Sequence, residues 1–112
     1  MASYKVIWST DASHELLEIV GFQKEKYGSR KAAEIYQKTH DRVVVLTTLP
    51  ETGRAVPELL AIGVTEIRGM IESPWRILYE VSESRVEILS VIDGRRNLEE
   101  ILYRKVMDGK LI

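Results

Sequence analysis

Two hydrophobic segments in the last third of the chain constrain the fold more than any other feature. Residues 75–81 alternate apolar and polar side chains, whereas residues 85–92 are apolar at both parities. The first pattern is typical of a strand with one strongly apolar face, and the second of a strand in the middle of a sheet. The short connection at residues 82–84 predicts that the two strands form an antiparallel hairpin.

A pair of arginines follows the second of these strands, in the sequence Asp-Gly-Arg-Arg-Asn at residues 93–97. Adjacent guanidinium groups repel each other unless a phosphate, a carboxylate or a partner protein neutralises them. With Arg76 on the neighbouring strand, Arg95 and Arg96 therefore predict a surface at one edge of the sheet that contacts an anion or a partner.

The first half of the chain has the pattern of a strand and a helical hairpin. Residues 4–8 are aromatic and β-branched, and Ser9 to Asp11 carry side chains suited to capping a helix. A first helix is predicted from Ala12 to Gly28, and Ser29 begins a second. Residues 43–48 are β-branched enough for a strand, but the apolar periodicity continues unbroken to Leu46, so we predict a helix there.

Prolines and glycines then mark residues 50–64 as a loop that crosses the domain. A strand over residues 65–71 precedes the hairpin, with Ile67 and Ile71 on its apolar face. Asn97 caps a last helix that Gly109 ends. The predicted order is β-α-α-β-β-β-α, an α+β fold with an N-terminal strand, an α-helical hairpin, a three-stranded antiparallel sheet and a C-terminal helix, in a single domain over residues 1–112.

Composition limits the function classes. A chain of 112 residues that is 45% hydrophobic and 29% charged is typical of one soluble globular domain. The absence of cysteine excludes thiol catalysis and zinc–thiolate sites and fits the cytoplasm; no membrane segment is evident. His14 and His40 have no second ligand at metal spacing, so no metal or cofactor is predicted. A net charge of −1 means that anion binding must come from local placement of charge.

Three motifs in this order resemble the RelE/ParE superfamily of type II toxins, in its ParE-like, plasmid-stabilisation form. They are Pro-Glu-Thr-Gly-Arg at residues 50–54, Pro-Trp-Arg-Ile-Leu-Tyr-Glu-Val at 74–81 and Ile-Leu-Ser-Val-Ile-Asp-Gly-Arg-Arg-Asn at 88–97. The resemblance implies a bacterial toxin that a cognate antitoxin holds inactive and links indirectly to operator DNA. RelE-like members cut messenger RNA in the ribosomal A site, whereas ParE-like members act on DNA gyrase and are not nucleases.

The resemblance also implies which residues a metal-independent endoribonuclease would use. Such an enzyme needs a group that orients the ribose 2′-hydroxyl, cations for the phosphorane and an acid for the leaving oxygen. The matching positions are Arg76, Arg96 (or Arg95), Tyr103 and Arg68. Purely structural roles are the alternative. Arg76 would then pair with Glu66 or Glu80 across the sheet, and Tyr103 would pack on the last helix.

Several departures from the nuclease pattern favour the gyrase inhibitor. Asp93 stands where the superfamily often has histidine, Glu66 where a positive charge would help, and Tyr103 is offset by about one residue. A gyrase inhibitor needs only a surface that contacts gyrase and does not need a set of catalytic residues. A third hypothesis is an inactive relic that binds only its antitoxin.

An antitoxin requires an apolar surface on the toxin. Four apolar side chains of the helical hairpin exceed what one thin sheet can cover, which predicts a patch for an amphipathic helix or strand. They are Leu16, Val20, Ile35 and Leu46.

Overall fold

The computed structural model describes residues 3–111 and contains a mixed five-stranded sheet with helical layers on both faces. The elements in chain order are β1 Lys5–Trp8, α1 Thr10–Tyr27, α2 Ser29–Val44 continued by a 3-10 turn at Val45–Thr47, β2 Arg54–Ala55, α3 Pro57–Leu60, β3 Ile67–Glu72, β4 Trp75–Val81, β5 Arg85–Asp93 and α4 Leu98–Met107. The strand order is β1-β5-β4-β3-β2. β1 runs parallel to β5, and the other neighbours are antiparallel.

The predicted α+β architecture is confirmed, and the strand hairpin of β4 and β5 lies where the alternation placed it. The contested residues 43–48 are helical as far as Thr47. Two predicted caps are also confirmed. The Ser9 side chain accepts a hydrogen bond from the Ala12 backbone N–H at 3.0 Å, and the Asn97 side chain accepts one from the Glu100 N–H at 3.3 Å. Gly28 makes the sharp turn between α1 and α2. Its φ is +93°, a backbone angle that other residues rarely adopt.

Two parts of the predicted topology are wrong. The sheet has five strands instead of three, because β1 joins it alongside β5 and the short strand β2 extends it beyond β3. Residues 50–64 are not entirely loop, since they contain β2 and α3. A buried tyrosine explains the first of these elements: the Tyr79 hydroxyl donates to the Pro50 carbonyl and accepts from the Gly53 N–H, each at 2.8 Å. This anchor holds the preceding loop at the edge of β3, where β2 can pair.

The sheet separates two hydrophobic cores, and adjacent residues of β4 point into different ones. Ile77 packs with Leu46, Met70 and Ile88 beneath the helical hairpin, on what we call the hairpin face. Leu78 packs on the other side, which we call the second face, among residues of α3, α4 and the loops beside them. The second-face cluster comprises Val56, Leu59, Val64, Ile67, Leu78, Ile92, Leu98, Leu102 and Leu111.

The predicted apolar face of β3 needs a correction. Ile71, predicted on the apolar face, is 61% exposed, whereas Met70, which alternates with Ile67 and Ile71 and so falls on the other face, is 3% exposed. The strand is covered on both sides, so Met70 is buried by the hairpin. Ile71 lies on the second face near the end of β3, opposite Arg76, and its side chain remains largely in solvent.

Candidate functional site

Arg76 lies on the second face, near the start of β4. Its register partners are Ile71 on β3 and Ile92 on β5. Its aliphatic stem passes over Gly94, where an added Cβ would lie 3.1 Å from the arginine Cγ. The same Cβ would lie 2.9 Å from the Pro74 carbonyl oxygen, and this backbone contact, with the arginine stem, explains why glycine follows β5.

Arg76 has a carboxylate partner within the chain. Its Nη2 lies 3.4 Å from Oε1 of Glu58, and the two side chains are 20% and 27% exposed. The partner is neither Glu66 nor Glu80, the two that the sequence suggested. Glu58 lies on α3 and was not predicted as the partner, because that helix falls in the segment predicted as a loop.

Arg95 also has an internal partner. Oδ1 of Asp93 accepts hydrogen bonds from the Arg95 backbone N–H and Nε at 2.9 Å each, and Oδ2 accepts from Nη2 at 2.8 Å. The side-chain hydrogen bond from Arg95 holds the pKa of Asp93 below its ordinary value, against a smaller opposing effect of burial. The repulsion between adjacent arginines is therefore relieved by a carboxylate in the same turn.

Arg96 points to a third place. It borders an open cavity of about 630 Å³ along α4, together with Asn97, Glu100, Ile101, Arg104, Lys105, Asp108 and Lys110. Within residues 3–111 its guanidinium makes no hydrogen bond or ion pair, unlike those of Arg76 and Arg95. Arg96 is therefore the member of the predicted arginine cluster that is free to contact another molecule.

Tyr103 is 49% exposed, so it is not a core residue of α4. It borders a cavity of about 390 Å³ between α3 and α4, where its neighbours include Glu58, Glu99 and Glu100. Acidic surroundings of this kind repel a phosphate. A tyrosine that served as an acid in phosphodiester cleavage would need the opposite field.

Arg68 lies on the hairpin face, on the opposite side of the sheet from Arg76. Its Nη1 donates to the Gly53 carbonyl at 2.8 Å and to the Glu51 carbonyl at 3.4 Å. It sits opposite Tyr79 in the register of β3 and β4, and burial raises the pKa of that tyrosine. Arg68 thus holds the loop that Tyr79 anchors.

The four predicted nuclease residues are distributed over both faces of the sheet, with Arg68 on the hairpin face and Arg76 on the second face. Glu58, the partner of Arg76, also borders the cavity of Tyr103, and this cavity shares Asn97 and Glu100 with the cavity of Arg96. Two arginines of the predicted cluster, Arg76 and Arg95, are paired with carboxylates. The anion-contacting role of the cluster stays a prediction.

The predicted apolar patch lies mostly inside the protein. Leu16, Ile35 and Leu46 are at most 8% exposed, and Val20 is half-buried. The apolar side chains that the hairpin does expose are neighbours of these. They are Leu17 at 60%, Phe22 at 59%, Tyr27 at 59%, Tyr36 at 41% and Val44 at 58%.

The two histidines contribute no ligand set. The His40 ring packs between Tyr36 and Trp8, with centroids 4.5 and 5.1 Å away. In the described part of the chain no three His, Asp or Glu side chains are grouped to hold a metal ion. No helix within residues 3–111 has both the length and the apolar character to cross a membrane.

The sequence profile of the family described as the ParE toxin of the type II toxin-antitoxin system, parDE, matches residues 6–98. The fold is similar to a chain of the chromosomal ParDE TA system from P. aeruginosa, with a TM-score of 0.68, 20% identity and coverage of 81% of this chain and 96% of that one. It is also similar to a chain of the RelBE2 toxin-antitoxin complex from Mycobacterium tuberculosis, with a TM-score of 0.52, 21% identity and coverage of 83% and 93%. No curated protein matches the sequence.

Proposed function

Because the chain belongs to the ParE toxin family of type II toxin-antitoxin systems, we propose that it acts on DNA gyrase by protein contact and does not cut messenger RNA. The observation that carries this proposal is the ion pair between Arg76 and Glu58. Arg76 is the cation that a nuclease of this fold would aim at the scissile phosphate, and here it already has a carboxylate partner.

Electrostatics explains why this pair matters. Cleavage through a phosphorane stabilises developing negative charge, so the site must hold cations that are free to approach it. A phosphate that approached Arg76 would also approach Glu58, and the carboxylate would cancel much of the attraction. Arg68 lies on the opposite face, and the cavity that Tyr103 borders is lined by the carboxylates of Glu58, Glu99 and Glu100.

A gyrase inhibitor needs an exposed contact surface, and the region around α4 offers one. Arg96 is unpaired within the described chain, and Tyr103 and Met107 on α4 are 49% and 69% exposed. Arginine and aromatic side chains are the residue types that contribute most to protein–protein binding. We assign the gyrase contact to Arg96 and this face of α4, with Arg76 and Arg95 contributing less because each is already paired.

The antitoxin is the second proposed partner, and it would link this chain indirectly to operator DNA. The exposed apolar residues of the hairpin suit the apolar face of an amphipathic antitoxin segment. Leu17 and Phe22 replace Leu16 and Val20 in this role, since Leu16 is 3% exposed and Leu17 is 60% exposed.

The test is expression in a tightly repressed bacterial host, with gyrase-trapped DNA breaks and the 5′ ends of messages measured in the same culture. We expect DNA breaks with intact messages. Arg96→Ala should reduce the breaks, and Glu58→Gln should leave them unchanged. The matched control is Arg54→Ala. Arg54 is exposed, lies on β2 and is far from α4 in the sequence.

Two outcomes would overturn the proposal. Message cuts in phase with codons, lost in Arg76→Ala, would identify a ribosome-dependent endoribonuclease. Normal growth with neither lesion, from a chain that still binds its antitoxin, would identify an inactive relic.

A further inference from the structure

A cleft of about 330 Å³ lies where the tip of the helical hairpin meets the turn between β3 and β4. It is separate from the second face and from α4, and Arg95 is the one residue it shares with the predicted arginine cluster. A cavity of this size is at the lower end of the range for small-molecule sites. It therefore suits a single small chemical unit better than a helix or a duplex.

Three lysines border this cleft, Lys26 from α1 and Lys31 and Lys38 from α2. None of them forms an ion pair within residues 3–111. Arg95 is held by Asp93, and Glu72 is the carboxylate that borders the same space. Ammonium groups gathered around one concave space repel each other and attract an anion. The chain as a whole is close to neutral, so this is a local concentration of positive charge.

Two exposed aromatic rings stand at the same cleft. Phe22 and Tyr27 are each 59% exposed, and Nζ of Lys26 lies 5.7 and 5.5 Å from their ring centroids. Trp75, which also borders the cleft, is 7% exposed. Aromatic faces beside lysines are the combination that binds single nucleotides, because the rings stack on bases while the cations contact phosphate.

The amide of Gln23 is the third element. Gln23 borders the cleft, is 9% exposed and makes no hydrogen bond through its side chain to the rest of the described chain. Buried polar side chains normally have partners. Within residues 3–111 no fully buried side-chain nitrogen or oxygen lacks one, so the Gln23 amide keeps some solvent exposure, and the cleft is a cavity that Gln23 borders. A carboxamide offers donors and an acceptor that match the edge of a nucleobase.

We propose that this cleft binds one nucleotide unit. The phosphate contacts the three lysines, the base stacks on Phe22 or Tyr27, and Gln23 contacts the base edge. A free nucleotide and an unpaired nucleotide within a strand present the same chemistry. The proposal goes beyond action on gyrase and does not depend on it.

Binding is tested by two-dimensional NMR of the full chain, titrated with adenosine monophosphate and separately with a short single-stranded DNA oligonucleotide. We expect saturable shifts of the Gln23 side-chain amide and of the Trp75 indole N–H. The backbone amide of Met107 on α4, which does not border the cleft, should stay in place as an internal control. Similar affinities for both ligands would indicate that the natural ligand is a free nucleotide. Much tighter binding of the oligonucleotide would indicate a nucleotide within a strand.

Variants separate the three contacts. Lys31→Ala and Lys38→Ala should each weaken binding by about tenfold, the value of one charge-assisted hydrogen bond. Lys24→Ala is the matched control, because Lys24 is on α1 but does not border the cleft. The double substitution of Phe22→Ala and Tyr27→Ala should weaken binding of the nucleotide and leave binding of inorganic phosphate unchanged.

Three results would overturn the proposal. The first is the absence of saturable shifts with either ligand. The second is equal weakening by Lys24→Ala and Lys31→Ala, which would show general charge attraction. The third is that a glutamate-rich peptide binds as tightly as the oligonucleotide and that its affinity is unchanged by Phe22→Ala. This would make the cleft a site for an acidic protein segment.

Discussion

Replacing Glu15 by glutamine should loosen the attachment of the C-terminal helix. Glu15 lies on α1, and its Oε1 accepts hydrogen bonds from Ser90 Oγ at 2.8 Å and from the Val91 N–H at 3.2 Å, beside the irregularity in the pairing of β4 and β5. Its Oε2 accepts from Nζ of Lys105 on α4 at 2.7 Å. One carboxylate therefore ties together a helix, the central strand and the last helix.

The size of the effect follows from what glutamine keeps and what it loses. The glutamine oxygen can still accept from Ser90 and Val91, but an NH₂ group would face the Lys105 ammonium. A hydrogen bond to a charged group contributes about 1.5–3 kcal/mol. The side chains of Lys105 and Glu15 are 15% and 25% exposed, respectively. Because solvent screens part of this interaction, we expect the free energy of unfolding to fall by about 1–2 kcal/mol. For a domain of this size the midpoint of thermal unfolding would fall by about 5–10 °C.

Urea unfolding of wild type and Glu15→Gln measures the loss, and hydrogen exchange of the α4 amides locates it. The matched control is Glu100→Gln, which removes the charge from the pair with Arg104 at 3.2 Å, where the side chains are 64% and 73% exposed. An exposed pair one helical turn apart contributes less than about 0.5 kcal/mol. Equal losses in the two variants, or unchanged exchange in α4, would refute the reasoning.

Three further predictions concern stability. Tyr79→Phe leaves the Gly53 N–H and the Pro50 carbonyl without their partner and should cost about 2–3 kcal/mol in urea unfolding; a loss under about 0.5 kcal/mol would contradict the anchor. Gly53→Ala should lower the midpoint of thermal unfolding, because its Cβ would lie 2.6 Å from the Tyr79 hydroxyl oxygen; an unchanged midpoint would argue against this contact. The Arg95 hydrogen bond lowers the folded-state pKa of Asp93 below 3.8, so the stability it gives is present above that pH and is lost as the pH falls through the folded-state pKa. Urea unfolding should therefore show Asp93→Asn to be less stable than wild type at pH 7, with the difference shrinking below about pH 4; a difference independent of pH would contradict this.

Local patterns predicted much of the fold. The alternation of residues 75–81 and the short connection after them depend on neighbours in sequence, and β4 has the predicted bounds. The caps at Ser9 and Asn97 are equally local, since each bonds an N–H three residues ahead. Such signals need no knowledge of the tertiary structure.

What the sequence did not reveal depends on contacts between distant residues. β2 exists because Tyr79 holds residues 50–53 from across the sheet, and no periodicity in that segment indicates this. Leu16 and Leu17 are both apolar, and the packing of α1 on the sheet determines that the first is buried and the second is exposed. The candidate site shows the same limit: residue types at matching positions predicted Arg76, but not the Glu58 that pairs with it.

Glu58 also shows why this fold by itself does not determine the target. The second face could serve a nuclease only if the guanidinium of Arg76 were free, and α3 brings a carboxylate to within 3.4 Å of it. That helix begins at Pro57, whose missing N–H costs nothing at a helix start. Glu58→Gln would remove the opposing charge and raise the affinity of this face for phosphate. We expect no cleavage from this variant, because Arg68 would still hold the loop on the opposite face and Glu99 and Glu100 would still border the cavity of Tyr103. The proposed contact with gyrase, by contrast, needs only Arg96 and the exposed face of α4.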